Sequence, residues 1–116
     1  MKKVEPLTES YYYILLCLAK EPLHGYGIML ETERLSGGTV KIGSGTMYGA
    51  ISNMIKKDWI AERRSVQSGM ERKRMYELTE TGRRVLEDEI LRIKRLLDSA
   101  DQVLGGRYNE KDKNGI

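Results

Sequence analysis

Apolar positions recur at helical spacing over most of the chain and at alternating spacing over one short stretch. Tyr11, Ile14, Leu15 and Leu18 form a stripe, widened by Tyr12, Leu16 and Cys17, that predicts a helix over 9–20 capped by Thr8 and ended by Pro22. A second helix is predicted from His24 to Leu35, with Tyr26, Ile28, Met29, Leu30 and Leu35 as buried contacts and Ser36-Gly37-Gly38 as its stop. The glycines at its start lower helix propensity and imply close packing there. Thr39 to Ile42 reads as a short extended piece forming a single bridge of sheet. Met47, Ile51, Met54 and Ile55 define the apolar face of a third helix, with Ser44 as the expected N-cap and an end near Asp58.

After Trp59 the period changes to two. Ile60, Glu62, Arg64 and Val66 alternate, as do the positions from Arg72 to Leu78, on either side of Gln67-Ser68-Gly69-Met70-Glu71. Two such runs around a Gly-containing turn predict a β-hairpin. A last helix, capped by Thr79, runs from Glu80 to Leu104 and stops at Gly105-Gly106. Its residues Leu86, Ile90, Ile93, Leu97, Ala100 and Leu104 are spaced 4, 3, 4, 3 and 4, a heptad seam widened by Val85, Leu96 and Val103. At 1.5 Å per residue this helix is about 37 Å long, more than the preceding small domain covers. It either packs back on its own domain or, as the length favours, pairs with a second copy.

The predicted fold class is therefore mostly α with a small β-hairpin wing: a winged helix-turn-helix over 1–79, a dimerisation helix over 80–104 and a flexible tail over 105–116.

Composition narrows the chemistry. With 116 residues there is room for one domain with a real core. One cysteine and one histidine leave no disulfide, no metal-ligand set and no nucleophile–base pair, so neither catalysis nor a cofactor is expected. Cys17, inside an apolar run, reads as a small core hydrophobe. No apolar run approaches the roughly 20 residues that span a bilayer, and the protein reads as cytoplasmic. The net charge of +3 says little, but its distribution says more. Seven cations (Lys56, Lys57, Arg63, Arg64, Arg72, Lys73, Arg74) face three acids between Lys56 and Tyr76, whereas eight of each sign balance from Glu80 onward. A local excess of this kind is an electrostatic footprint for nucleic acid.

The polar face of the third helix carries Thr46, Gly49, Ala50, Asn53, Lys56 and Lys57. Small residues permit close approach, Thr and Asn can read base edges, and Lys can meet phosphates, so this face reads as a recognition surface for the major groove or as an ordinary solvated face.

Four segments then settle the comparison: Leu23-His24-Gly25-Tyr26-Gly27-Ile28, Gly45-Thr46-Met47-Tyr48-Gly49-Ala50-Ile51, Trp59-Ile60, and Arg74-Met75-Tyr76-Glu77-Leu78-Thr79-Glu80-Thr81-Gly82-Arg83. In order and spacing the chain resembles PadR-family transcriptional regulators, in the shorter form with a single C-terminal helix. Met47 stands where that family usually has Leu, and Trp59 where it usually has Gly. The resemblance implies a homodimeric repressor on a pseudo-palindromic double-stranded DNA operator, with the C-terminal helix exchanged across the dimer against the partner's first helix. It also implies small aromatic or hydrophobic effectors.

The expected DNA contacts are Thr46, Tyr48, Gly49, Asn53, Lys56, Arg64, Arg72, Lys73 and Arg74. Tyr48 reads equally as a core ring, and the strand parity of Arg74 with Tyr76 and Leu78 leaves its direction open. The expected dimer contacts are Leu86, Ile90, Ile93, Leu97, Ala100 and Leu104. An effector pocket is expected at Tyr11, Tyr12, Leu15, Ile93 and Leu97, where the tyrosines alternatively just fill the interface. A winged-helix protein-interaction module without DNA binding is the competing reading.

Overall fold

In the computed structural model, residues 5–65, 73–106 and 108 are described, without the side chains at 64, 65 and 73. The elements are α1 (Glu9–Lys20), β1 (Leu23–His24), α2 (Gly25–Leu35), α3 (Ser44–Lys56), β2 (Ile60–Ser65), β3 (Lys73–Leu78) and α4 (Glu80–Leu104). The architecture is the mostly helical winged fold expected, with a three-stranded antiparallel sheet in the order β1-β3-β2.

Each helix boundary has a local cause. Thr8 caps α1 by accepting from the Tyr11 N–H at 3.1 Å. Glu21, held extended before Pro22, ends it. His24 caps α2 through Nδ1, which accepts from the Gly27 N–H at 3.0 Å. At the far end of α2 the Gly38 N–H donates to the Glu33 carbonyl at 2.8 Å, with Gly37 and Gly38 both at positive φ. For α3 the cap is Gly43, not Ser44: the helix begins at Ser44, and no side chain bonds its first amides. α3 ends as Asp58 adopts φ 64° and the Trp59 N–H donates to the Met54 carbonyl at 2.9 Å. The left-handed position is thus Asp58, so Trp59 can be large.

The sheet differs from expectation in one strand. Residues 39–42 form no strand; the third strand is β1, with Leu23 opposite Tyr76 and His24 opposite Met75 on β3. β2 and β3 pair from Ile60 opposite Leu78 to Ser65 opposite Lys73. The hairpin turn, including Arg72, lies outside the described residues.

Two compact units divide the chain: Leu7–Leu86, and one that contains Glu87–Leu104. The boundary lies inside α4, whereas the sequence reading places it between 79 and 80. The first unit has a single core of Ile14, Leu15, Leu18, Ile28, Ile42, Met47, Ala50, Ile51, Met54, Ile60, Tyr76 and Leu86. Tyr26, Leu30 and Leu35, expected to be buried, are exposed. α2 fully buries only Gly25, Ile28 and Thr32, with Met29 partly buried against the core, so Tyr26, Leu30 and Leu35 face outward.

Thr79 fastens the start of α4 to the end of α3. Its N–H donates to the Trp59 carbonyl at 3.0 Å, and its hydroxyl lies 2.6 Å from the Asp58 carbonyl and accepts from the Gly82 N–H at 3.0 Å. A Cβ on Gly82 would collide with the Trp59 carbonyl, so only glycine permits this approach.

In the second unit, α4 carries exposed Ile90, Leu91, Ile93, Leu96, Val103 and Leu104. Gly105 and Gly106, both at positive φ, donate to the Asp101 carbonyl and close the helix.

Candidate nucleic-acid interface

α3 buries Met47, Ala50, Ile51 and Met54. At 100° per residue, the line farthest from those four is Gly45, Gly49, Ser52 and Lys56, all exposed. Tyr48 and Ile55 flank this crest on one side, and Thr46 and Asn53 on the other. Two positions are corrected: Ala50, expected on the polar face, is in the core, and Ile55, expected in the core, is partly exposed. Ser52 was missed, although the 4, 3, 4 spacing from Gly45 to Lys56 marks it in the sequence.

The crest glycines are not required by the fold. A Cβ at Gly45 or Gly49 would meet nothing within 4 Å. Glycine within a helix costs about 1 kcal/mol relative to alanine, so the chain tolerates this cost without any internal contact in return. What the glycines allow is close approach by an outside surface.

Tyr48 resolves between its two readings as something of both. It is 49% exposed, yet its hydroxyl occupies the space beside Gly25 where a Cβ would otherwise sit. Tyr48, Arg74 and Tyr76 line two grooves. One, of about 500 Å³, is lined by His24, Gly25, Tyr26, Tyr48, Arg74 and Tyr76. The other, of about 510 Å³, is lined by Tyr48, Ile51, Ser52, Ile55, Lys56, Glu62, Arg74 and Tyr76. Tyr26 and His24 were not among the expected contacts. They reach the groove only because β1 joins the sheet, a pairing with no local sequence signal.

Arg74 is exposed and lies 3.4 Å from Glu62. The register that sets Glu62 opposite Tyr76 puts all three on one face of the hairpin. Burial first, then the Glu62 charge, push the Tyr76 phenol above the usual tyrosine range, offset in part by Arg74. On the other face Arg63 pairs with Glu77 at 3.1 Å. Lys56 is exposed and makes no ion pair among the described residues, and the Lys57 ammonium sits 5.4 Å from the centre of the Trp59 ring. Arg64 and Lys73 lie on β2 and β3, but their side chains, like Arg72, are outside what is described.

Asn53 has an internal partner. Its Nδ2 donates to the Tyr11 hydroxyl at 2.8 Å. Tyr11 is thereby joined to α3, and it also meets the Trp59 ring edge-on at 6.4 Å. Of the residues expected to line an effector pocket, Leu15 has no exposed surface and belongs to the core, whereas Tyr11 and Tyr12 are half-buried. Leu86, the first residue of the expected dimer seam, is likewise buried in the core of the first unit.

The exposed side of α3 and the adjoining hairpin offer cations, phenols, an amide and small residues, the chemistry of polyanion contact. Cys17 lies buried beside Thr32, its Sγ 3.6 Å from Oγ1, and desolvation pushes its thiol above the ordinary range. No cluster of potential metal ligands occurs among the described residues, and no described helix is long and apolar enough to cross a membrane.

Comparison with known proteins agrees with the fold. The transcriptional regulator PadR-like family matches residues 14–88. The chain is similar to Bacillus subtilis PadR, solved in complex with operator DNA: 28% identity, TM-score 0.62, over 69% of this chain and 45% of that one. It is also similar to a PadR family transcription regulator from Clostridium difficile R20291: 27% identity, TM-score 0.70, over 84% of this chain and 100% of that one. An uncharacterized 37.1 kDa protein of Streptomyces fradiae transposon TN4556 is 37% identical over 89 residues, 77% of this chain. The chain spans about a quarter of that relative's length, 24%, and under half of the Bacillus subtilis chain. With a family match over most of its length, the chain belongs to the PadR-like family of transcriptional regulators.

Proposed function

We propose that this protein is a cytoplasmic, homodimeric, sequence-specific DNA-binding repressor that a small aromatic or hydrophobic effector releases from its operator. The observation that carries the reading is the crest of α3. Gly45, Gly49 and Ser52 let the helix sink into a major groove, where Thr46, Tyr48 and Asn53 on its flanks come within reach of base edges. Lys56 and Arg74, with Arg64, Arg72 and Lys73 of the wing, would then meet the phosphates. The Bacillus subtilis relative bound to operator DNA supports the same use of the fold.

The exposed apolar residues of α4 support the dimer, because an isolated helix would leave Ile90, Ile93, Leu96 and Leu104 in water. A dimer would also match a pseudo-palindromic site.

The test is binding to duplexes selected from a random pool, over a series of salt concentrations. Enrichment of a palindromic site is expected. Lys56→Ala should weaken binding to all duplexes alike and lower the log K against log salt slope by roughly one for each phosphate it no longer neutralises. If no duplex is enriched and the protein binds none, the competing role as a protein-interaction module takes its place.

A further inference from the structure

We propose that Tyr11 is a positioning residue for DNA reading: its hydroxyl holds the Asn53 amide in the orientation that recognises adenine. The inference rests on the DNA-binding function proposed above and goes beyond it to one base and one supporting residue.

The Asn53 amide has two N–H donors and one carbonyl acceptor. One donor is taken by the Tyr11 hydroxyl at 2.8 Å, across 42 residues of sequence. The second N–H and Oδ1 have no partner among the described residues. A free donor and a free acceptor on one amide are the pair that matches N7 and N6–H of adenine. An untethered asparagine can rotate about its last torsion and present either edge; engaging Nδ2 removes that freedom before DNA arrives.

The Tyr11 hydroxyl is itself fixed. Its ring lies on α1, three residues before fully buried Ile14, and meets the Trp59 ring edge-on at 86°. Trp59 is held in turn by its N–H to the Met54 carbonyl and by its own carbonyl under the Thr79 N–H. Asn53 lies on the flank of α3, about 70° from the crest, and the glycine crest lets this flank approach a groove wall.

The experiment uses a duplex selected by the wild-type protein and its variants carrying each of the four bases at every half-site position. Asn53→Ala should lose roughly 5- to 150-fold at one adenine and nothing elsewhere. Tyr11→Phe keeps the ring against Trp59 and should lose preference at that same position, by about three- to tenfold, with unchanged affinity for random duplex. In the Asn53→Ala background Tyr11→Phe should do nothing further, since the tether then has no amide to hold. A Tyr11→Phe loss equal on all duplexes, or additive with Asn53→Ala, overturns the positioning role. Preference unchanged by Asn53→Ala, while Lys56→Ala still lowers the salt slope, overturns it and leaves the DNA-binding reading intact. Absence of any selected duplex removes both.

Discussion

The Tyr48 hydroxyl occupies the space in which a Cβ on Gly25 would sit. Alanine at the start of a helix would ordinarily gain stability over glycine by up to about 1 kcal/mol. Here it would instead drive into the Tyr48 ring and the Met47 methyl group. Gly25→Ala should therefore destabilise the protein by about 1–3 kcal/mol in urea unfolding. Removing the ring in the same chain, with Tyr48→Ala, should recover part of that loss. Additive effects in the double variant would break the link between the two residues.

Gly49→Ala should act in the opposite sense on stability. A Cβ there meets nothing, so the variant should gain about 1 kcal/mol from helix propensity alone. If the crest enters a groove, the same methyl group should reduce DNA affinity by about tenfold or more. Urea unfolding and a binding titration on the same preparation check both signs. A variant that is more stable and binds equally well would show that the crest does not approach DNA.

On α4, Leu97 occupies the middle of the heptad seam. Leu97→Asp would place a charge among apolar residues of two helices, at a cost of several kcal/mol. Sedimentation should show monomer where the wild type is a dimer. A variant that stays dimeric at low concentration would rule out this seam as the interface.

Burial raises the Cys17 thiol above its ordinary 9.0, with the Thr32 hydroxyl offsetting part of the rise. The folded state then holds the proton more tightly than the unfolded chain. The associated stability is complete below pH 9 and is lost as pH rises from there through the folded-state value, at no more than about 1.4 kcal/mol per pH unit. Comparing urea midpoints at pH 8 and pH 10 should show a smaller decline for Cys17→Ala than for wild type. Thiol reagents should label the native protein slowly at pH 8 and the unfolded chain at once.

Most of what one helical turn or one strand period carries was legible in the sequence, the Ser44 cap of α3 being an exception. The stripe Ile14, Leu15 and Leu18, the caps Thr8 and Thr79, and the stop at Gly105 follow from contacts no more than four residues apart. The chain order of helices and hairpin, with four family segments, sufficed for the winged fold. The core face of α3 was legible in Met47, Ile51 and Met54, but its edges were not. Whether Ala50 or Ile55 is buried depends on which side α2 and the sheet approach from, and period alone is symmetric about the stripe.

Tertiary structure decided what depends on distant partners. β1 is two residues long, and only its pairing with β3, some fifty positions away, makes Leu23–His24 a strand and brings Tyr26 to the groove. Nothing in the local sequence distinguishes it from the loop at Thr39–Ile42, because two extended residues have no period to read. Gly25 signals a close approach by being glycine, but only the fold shows that Tyr48 is what approaches. The sequence put Tyr11 at an effector pocket and Asn53 at the DNA; the packing of α1 against α3 joins them in one hydrogen bond. By itself, then, the sequence determined the four helices, the hairpin strands and their order. The fold determined which faces meet, since burial and pairing are sums over residues that the chain keeps far apart.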